Sequence, residues 1–125
     1  ARSGARSVLA SEIDAFAVEV IGMNAAVNGV SVIARLGDVL TGPPPDVDLL
    51  LAGDVFYERP MAEATLAWLD RARSAGTEVL IGDPGRSYLP RDRLARVAEY
   101  TVEVTRALED SEVKHTTVWR LQKKR

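Results

Sequence analysis

The strongest constraint on the fold is a recurrence in which short apolar runs each close on an acidic residue. Val8-Leu9-Ala10 leads to Ser11-Glu12, Val30 to Leu36 leads to Gly37-Asp38, Leu49-Leu50-Leu51-Ala52 leads to Gly53-Asp54, and Glu78-Val79-Leu80-Ile81 leads to Gly82-Asp83. Apolar runs this short, bounded by turn-forming residues, read as strands. The runs at Val8 and Leu49 lack the apolar-polar alternation of a half-exposed strand, so they are expected to be covered on both faces, the Leu49 run as a buried central strand.

Helical patterns separate the strands. Asp14 is placed to cap a helix in which Phe16, Val20, Met23 and Val27 share one face, and Asn28-Gly29 ends it. Met61 to Arg73 predicts a second helix, with Pro60 near its first turn, Leu66 and Leu69 inside, and Ala75-Gly76 closing it. A third short helix is expected from Pro90 to Glu99, with Arg91, Arg93 and Arg96 on a solvated face. Thr41-Gly42-Pro43-Pro44-Pro45 is a stiff loop. Tyr100, Val102 and Val104 alternate as a strand, Asp110-Ser111 turns, and Val113 to Leu121 returns as its antiparallel partner. The order β-α-β-β-α-β-α-β-β implies crossover units. The expected fold is a single α/β domain over residues 1–125, with a mostly parallel sheet, helices on both faces and an antiparallel C-terminal strand pair.

Composition narrows the chemistry. The chain has no Cys, which removes disulfides, thiolate catalysis and Cys-ligated metals, and its one His, His115, leaves no His pair for a metal. His115 is expected on an edge strand in a surface or packing role, and Trp68 and Trp119 as core or sheet-covering aromatics. With 16 basic and 18 acidic side chains the formal charge is −2, which gives no general attraction to nucleic acid. No apolar run is long enough to cross a membrane as a helix.

In an open α/β sheet, ligands bind beyond the carboxyl ends of the strands. An acid after the second strand of a nucleotide-binding half can accept from ribose hydroxyls, and one after the next strand from an exocyclic amine. The competing reading is that each acid caps a helix or a turn. Asp83-Pro84-Gly85-Arg86 carries the same ambiguity: Arg86 can meet an acidic ligand, or the segment is only a turn.

Ala10-Ser11-Glu12-Ile13-Asp14-Ala15-Phe16-Ala17, followed by Asn24-Ala25-Ala26-Val27-Asn28-Gly29, resembles the second strand and helix of the class I S-adenosylmethionine-dependent methyltransferases. Gly37-Asp38-Val39 resembles their adenine-side motif. Asp54-Val55-Phe56-Tyr57 fits the Asp-x-x-Tyr signature of the seven-β-strand lysine methyltransferases, particularly the branch acting on the electron-transfer-flavoprotein β subunit and its bacterial, nicotinamide N-methylase-like relatives. The resemblance implies a Rossmann-like three-layer sandwich and S-adenosylmethionine as cofactor. Glu12 would accept from the ribose, Asp38 from the adenine amine, and Ile13 and Val39 would sandwich the ring. Asp54 would face the methyl-transfer channel, with Tyr57 shaping the acceptor pocket, unless Tyr57 only packs between loop and helix.

The implied activity is N-methylation, of a protein lysine such as one on the flavoprotein β subunit, or of a small amine, in the cytoplasm and without nucleic-acid or membrane partners. The family's first strand and glycine-rich turn lie upstream of the strand ending at Glu12 and have no counterpart here. The expectation is therefore an N-terminally truncated domain, impaired in cofactor binding, with strands left short of a partner. A noncatalytic partner-binding domain of the same fold is the alternative. A dinucleotide-binding oxidoreductase is disfavoured by Asp-x-x-Tyr and the terminal strand pair.

Overall fold

The computed structural model describes residues 1–105 and 111–124, which form two compact units, Ala1–Pro43 and Pro44–Arg125. The expected turn at Asp110-Ser111 lies partly outside the described residues.

In the first unit, β1 (Leu9–Glu12) and β2 (Ile33–Leu36) pair in parallel, from Leu9 opposite Ile33 to Glu12 opposite Leu36. The crossover between them is α1 (Ala15–Val27), whose first turn is closed by Asp14: its carboxylate accepts from the Phe16 amide at 2.9 Å. Gly29 ends the helix with φ of +64°, a left-handed conformation that costs glycine nothing. The face drawn through Phe16, Val20, Met23 and Val27 is not the inner one. Phe16 and Val27 are 77% and 86% exposed, while Ala17, Val18, Ile21 and Ala25 are half-buried. The helix is apolar on every side apart from Glu19 and Asn24, so periodicity alone does not select a face.

The second unit is a four-stranded sheet in the order β3 (Leu49–Gly53), β4 (Glu78–Asp83), β6 (Ser111–Leu121), β5 (Leu94–Thr105). β3 and β4 run parallel, joined through α2 (Arg59–Ser74), and β6 is antiparallel to both its neighbours. The crossover unit and the C-terminal antiparallel pair are those expected from the sequence. α2 buries Ala62, Thr65, Trp68, Leu69 and Ala72, and the buried core continues through Phe56, Val79, Ile81 and Leu121.

Four expectations need correction. β3 is an edge strand, not a central one, with Leu49 and Leu51 exposed. Its register sets Leu50 and Ala52 opposite the buried Val79 and Ile81, and an all-apolar run does not say how many partners a strand has. β1 and β3 sit in different sheets, and each leaves a ladder edge unpaired among the described residues.

The helix expected over Pro90–Glu99 is instead a 3₁₀ turn, Arg91–Arg93, followed by β5. A β-bulge between Arg96 and Ala98 interrupts the two-residue alternation, leaving Leu94, Val97 and Ala98 at a spacing that imitates a helix. Accordingly Arg93 is not on a solvated helix face: it donates to both carboxylate oxygens of Asp70 on α2, at 3.0 and 2.7 Å, and to the Gln122 carbonyl. Arg96 lies 5.6 Å from the centre of the Trp119 ring. Finally, His115 belongs to β6, inside the sheet order, and its Nδ1 pairs with the Thr101 hydroxyl of β5 at 3.1 Å.

Candidate functional site

The parallel pairing of β1 and β2 brings their carboxyl ends to one edge, and the sequence-predicted cofactor residues gather there. Glu12 closes β1 and is half-buried, and its backbone carbonyl accepts from the Gly37 amide at 3.0 Å, which ties the two strand ends together. Glu12 Oε1 also accepts from the amides of Ile13 and Asp14, at 2.9 and 3.3 Å. Asp38 follows β2 and accepts from the Leu40 amide at 3.0 Å, capping a short 3₁₀ turn, Val39–Thr41. Asp38 thus caps a turn, whereas Glu12 accepts from the two amides that follow it and the cap of α1 is Asp14. The bonds to Glu12 and Asp38 also fix each side chain at the strand end, with one carboxylate oxygen of each accounted for. Beside them stand exposed apolar groups, Ile13 at 65% and Val39 at 37%.

An open groove of about 430 Å³ in this unit, lined among others by Val8, Gly22, Ala25 and Ile33, lies toward the amino ends of the same strands. It is away from Glu12 and Asp38 and is not part of the site.

The carboxyl ends of β3 and β4 form a second edge. Asp54 follows β3 directly. Its backbone is left-handed, with φ of +48°, a conformation Asp tolerates better than most residues, and its amide donates to the Gly82 carbonyl at 2.9 Å. The Asp54 carboxylate is engaged at both oxygens by Arg86, through Nε and Nη2 at 2.9 Å each. Hydrogen bonds from this guanidinium hold the Asp54 carboxyl below the ordinary carboxylate range, with its charge and that of Lys114 acting the same way against partial desolvation. Tyr57 is half-exposed, and the aromatic that packs in this segment is its neighbour Phe56, which is fully buried.

Asp83 differs from the other strand-end acids. It is 1% exposed and uses Oδ2 to accept from the amides of Gly85 and Arg86, at 2.7 and 2.8 Å. It therefore shapes the turn that delivers Arg86. Sequence reasoning offered Arg86 an acidic ligand or nothing. The partner is Asp54, and the signal for it was topological: β3 and β4 are parallel neighbours with Gly53 opposite Gly82, so the residues after each strand meet.

The structure thus groups Glu12, Ile13, Asp38 and Val39 on one sheet edge, and Asp54, Tyr57 and Arg86 on the other. The first edge carries two carboxylates held at the strand ends, with the exposed Ile13 and Val39 following them in sequence.

No protein-family model matches the chain. It is similar in sequence to the electron transfer flavoprotein beta subunit lysine methyltransferases of Danio rerio, 34% identical over 124 residues, and Homo sapiens, 32% identical over 126 residues. These alignments take in 94% and 96% of this chain, and the chain spans about half, 48%, of the length of each relative. Among solved structures, it resembles one assigned as an RNA methyltransferase from Pyrococcus horikoshii, with a TM-score of 0.67 at 17% identity, covering 96% of this chain and 63% of that one. A structure assigned as a tRNA (m1A22) methyltransferase from Streptococcus pneumoniae, in complex with S-adenosyl-L-methionine, gives 0.62 at 17% identity, covering 99% and 59%.

Proposed function

We propose, from the premise that a chain of this fold and with these relatives belongs to the class I S-adenosylmethionine-dependent methyltransferases, that it forms part of a protein-lysine N-methyltransferase. The single observation that carries this reading is the sequence similarity along nearly the whole chain to lysine methyltransferases of the electron-transfer-flavoprotein β subunit. That subunit is the proposed acceptor protein. The arrangement of carboxylates agrees with it.

The β1/β2 edge fits the nucleoside end of the cofactor. Glu12 accepts hydrogen bonds from the ribose hydroxyls and Asp38 from the adenine amine, while Ile13 and Val39 contribute apolar contact to the ring faces. The amides that bind Glu12 and Asp38 fix these carboxylates before any ligand arrives, which lowers the ordering cost of binding. The cofactor, when bound, supplies a methyl group on a sulfonium. On the β3/β4 edge, Asp54 orients the acceptor amine and Tyr57 borders it. Both oxygens of Asp54 are already engaged by Arg86, which favours a role in positioning the amine over one as its general base.

The test is methyl transfer from labelled S-adenosylmethionine to the flavoprotein β subunit, to ribosomal proteins and to nicotinamide, using the protein encoded by the complete gene. Label on lysine of the β subunit is expected, and label confined to nicotinamide would move the assignment to a small-molecule enzyme. Calorimetric titration of the 125-residue chain with S-adenosylmethionine is expected to show weak or no binding. Micromolar affinity would overturn that expectation.

A further inference from the structure

The Asp54–Arg86 pair is the one cluster at the proposed acceptor edge that the reading above does not fully use. A lone carboxylate beside a lysine amine is a chemical liability. It stabilises the ammonium form, and an ammonium nitrogen has no lone pair with which to take a methyl group. In this structure the carboxylate is not alone. Arg86 meets it fork to fork, a geometry that fixes the plane of the carboxylate and cancels its charge. Arg86 is in turn placed by its own backbone, because its amide and that of Gly85 are held by the buried Asp83. Asp54 is placed from the other side by its left-handed backbone and by the bond from its amide to Gly82. Both side chains remain about half-exposed, at 46% for Asp54 and 47% for Arg86, so the pair can be approached by a ligand.

We propose that Arg86 is a positioning and charge-balancing residue for Asp54: it fixes and neutralises the carboxylate, so that Asp54 accepts a hydrogen bond from the acceptor amine without trapping it as ammonium. The inference rests on the assignment of Asp54 to the acceptor site. It adds a specificity rule, since the paired site has no net charge and discriminates little in favour of a cation. Lys114 of β6 adds positive potential at Asp54, and Asp83 adds negative potential at Arg86, so the balance involves these groups as well.

The experiment uses the 125-residue chain and needs neither cofactor nor catalysis. The Asp54 carboxyl is titrated by carbon-13 NMR in the wild type, Arg86→Met, Arg86→Lys and, as a control, Arg59→Met, which removes only the exposed pair with Glu63. Arg86→Met is expected to raise the Asp54 midpoint by roughly half a pH unit or more, allowing for the exposure of the pair. Arg86→Lys, which keeps the charge and loses the fork, should fall between, and it carries the test if Arg86→Met does not fold. Arg59→Met should match the wild type.

Each protein is then titrated at neutral pH with Nα-acetyl-lysine methylamide, whose side chain is an ammonium ion there. Binding at Asp54 is expected to be several-fold stronger in Arg86→Met than in the wild type. An unchanged Asp54 midpoint on loss of Arg86, or lysine-analogue binding that is absent or no stronger in Arg86→Met, overturns the proposal. Failure of methyl transfer in the gene-length protein would overturn the methyltransferase reading and leave both measurements standing.

Discussion

At the scale of single residues, the strand-end acids show how one residue type serves several ends. Glu12 accepts from the two amides that follow it, Asp38 caps a 3₁₀ turn, Asp83 is buried to organise a turn, Asp54 is held by a guanidinium, and Asp14, two residues beyond β1, caps α1. Replacing Asp14 by Ala removes an N-cap and is expected to cost α1 about 1 kcal/mol. Faster amide exchange in its first turn, measured by NMR, is the check. The Asp54 carboxyl lies below its ordinary value in the folded protein. Its contribution to stability is therefore fully present above the unfolded-state value, about 3.9, and is lost as pH falls through the lower folded value. Urea midpoints of the wild type and Asp54→Asn should accordingly differ at pH 7 and converge in acid, with the difference at pH 7 reduced by salt because the pair is half-exposed. The positions of Glu12 and Asp38 at strand ends were legible in the sequence, because an apolar run followed by an acid is a local pattern. The bond between Asp54 and Arg86 was not, since it depends on which strands become neighbours.

Among the elements, legibility followed periodicity. α2 was readable because its apolar residues occupy one side and its charges the other, and the β5–β6 hairpin because most of it alternates. α1 hid its inner face by being apolar all round, and β5 passed for a helix where its bulge broke the alternation. The error at Arg93 has an energetic consequence. This residue ties α2 to the start of β5 and the end of β6, through Asp70 and the Gln122 carbonyl, and its side chain is only 21% exposed. Arg93→Ala leaves Asp70, itself 14% exposed, without that partner, and should cost about 1.5–3 kcal/mol in urea unfolding. A loss below about 0.5 kcal/mol would place the residue with ordinary surface pairs.

Across the whole molecule, burial is uneven. Among the described residues, every buried one belongs to Pro44–Arg125, and Ala1–Pro43 has none. Local opening costs least where few apolar groups are buried. Amides of β1, β2 and α1 are therefore expected to exchange with deuterium orders of magnitude faster than those of β4 and the middle of α2. Equal protection in the two units would contradict this.

The exposed leucines of β3 and the outward face of α1 carry a thermal consequence. Heat capacity rises on unfolding chiefly because apolar surface enters water, and here Leu49, Leu51, Phe16, Met23 and Val27 are already largely wetted in the folded state. Scanning calorimetry of the chain should therefore give a heat-capacity increment below the ordinary ~12–15 cal/mol/K per residue. The curve of stability against temperature would then bend less than that of an ordinary domain of this length.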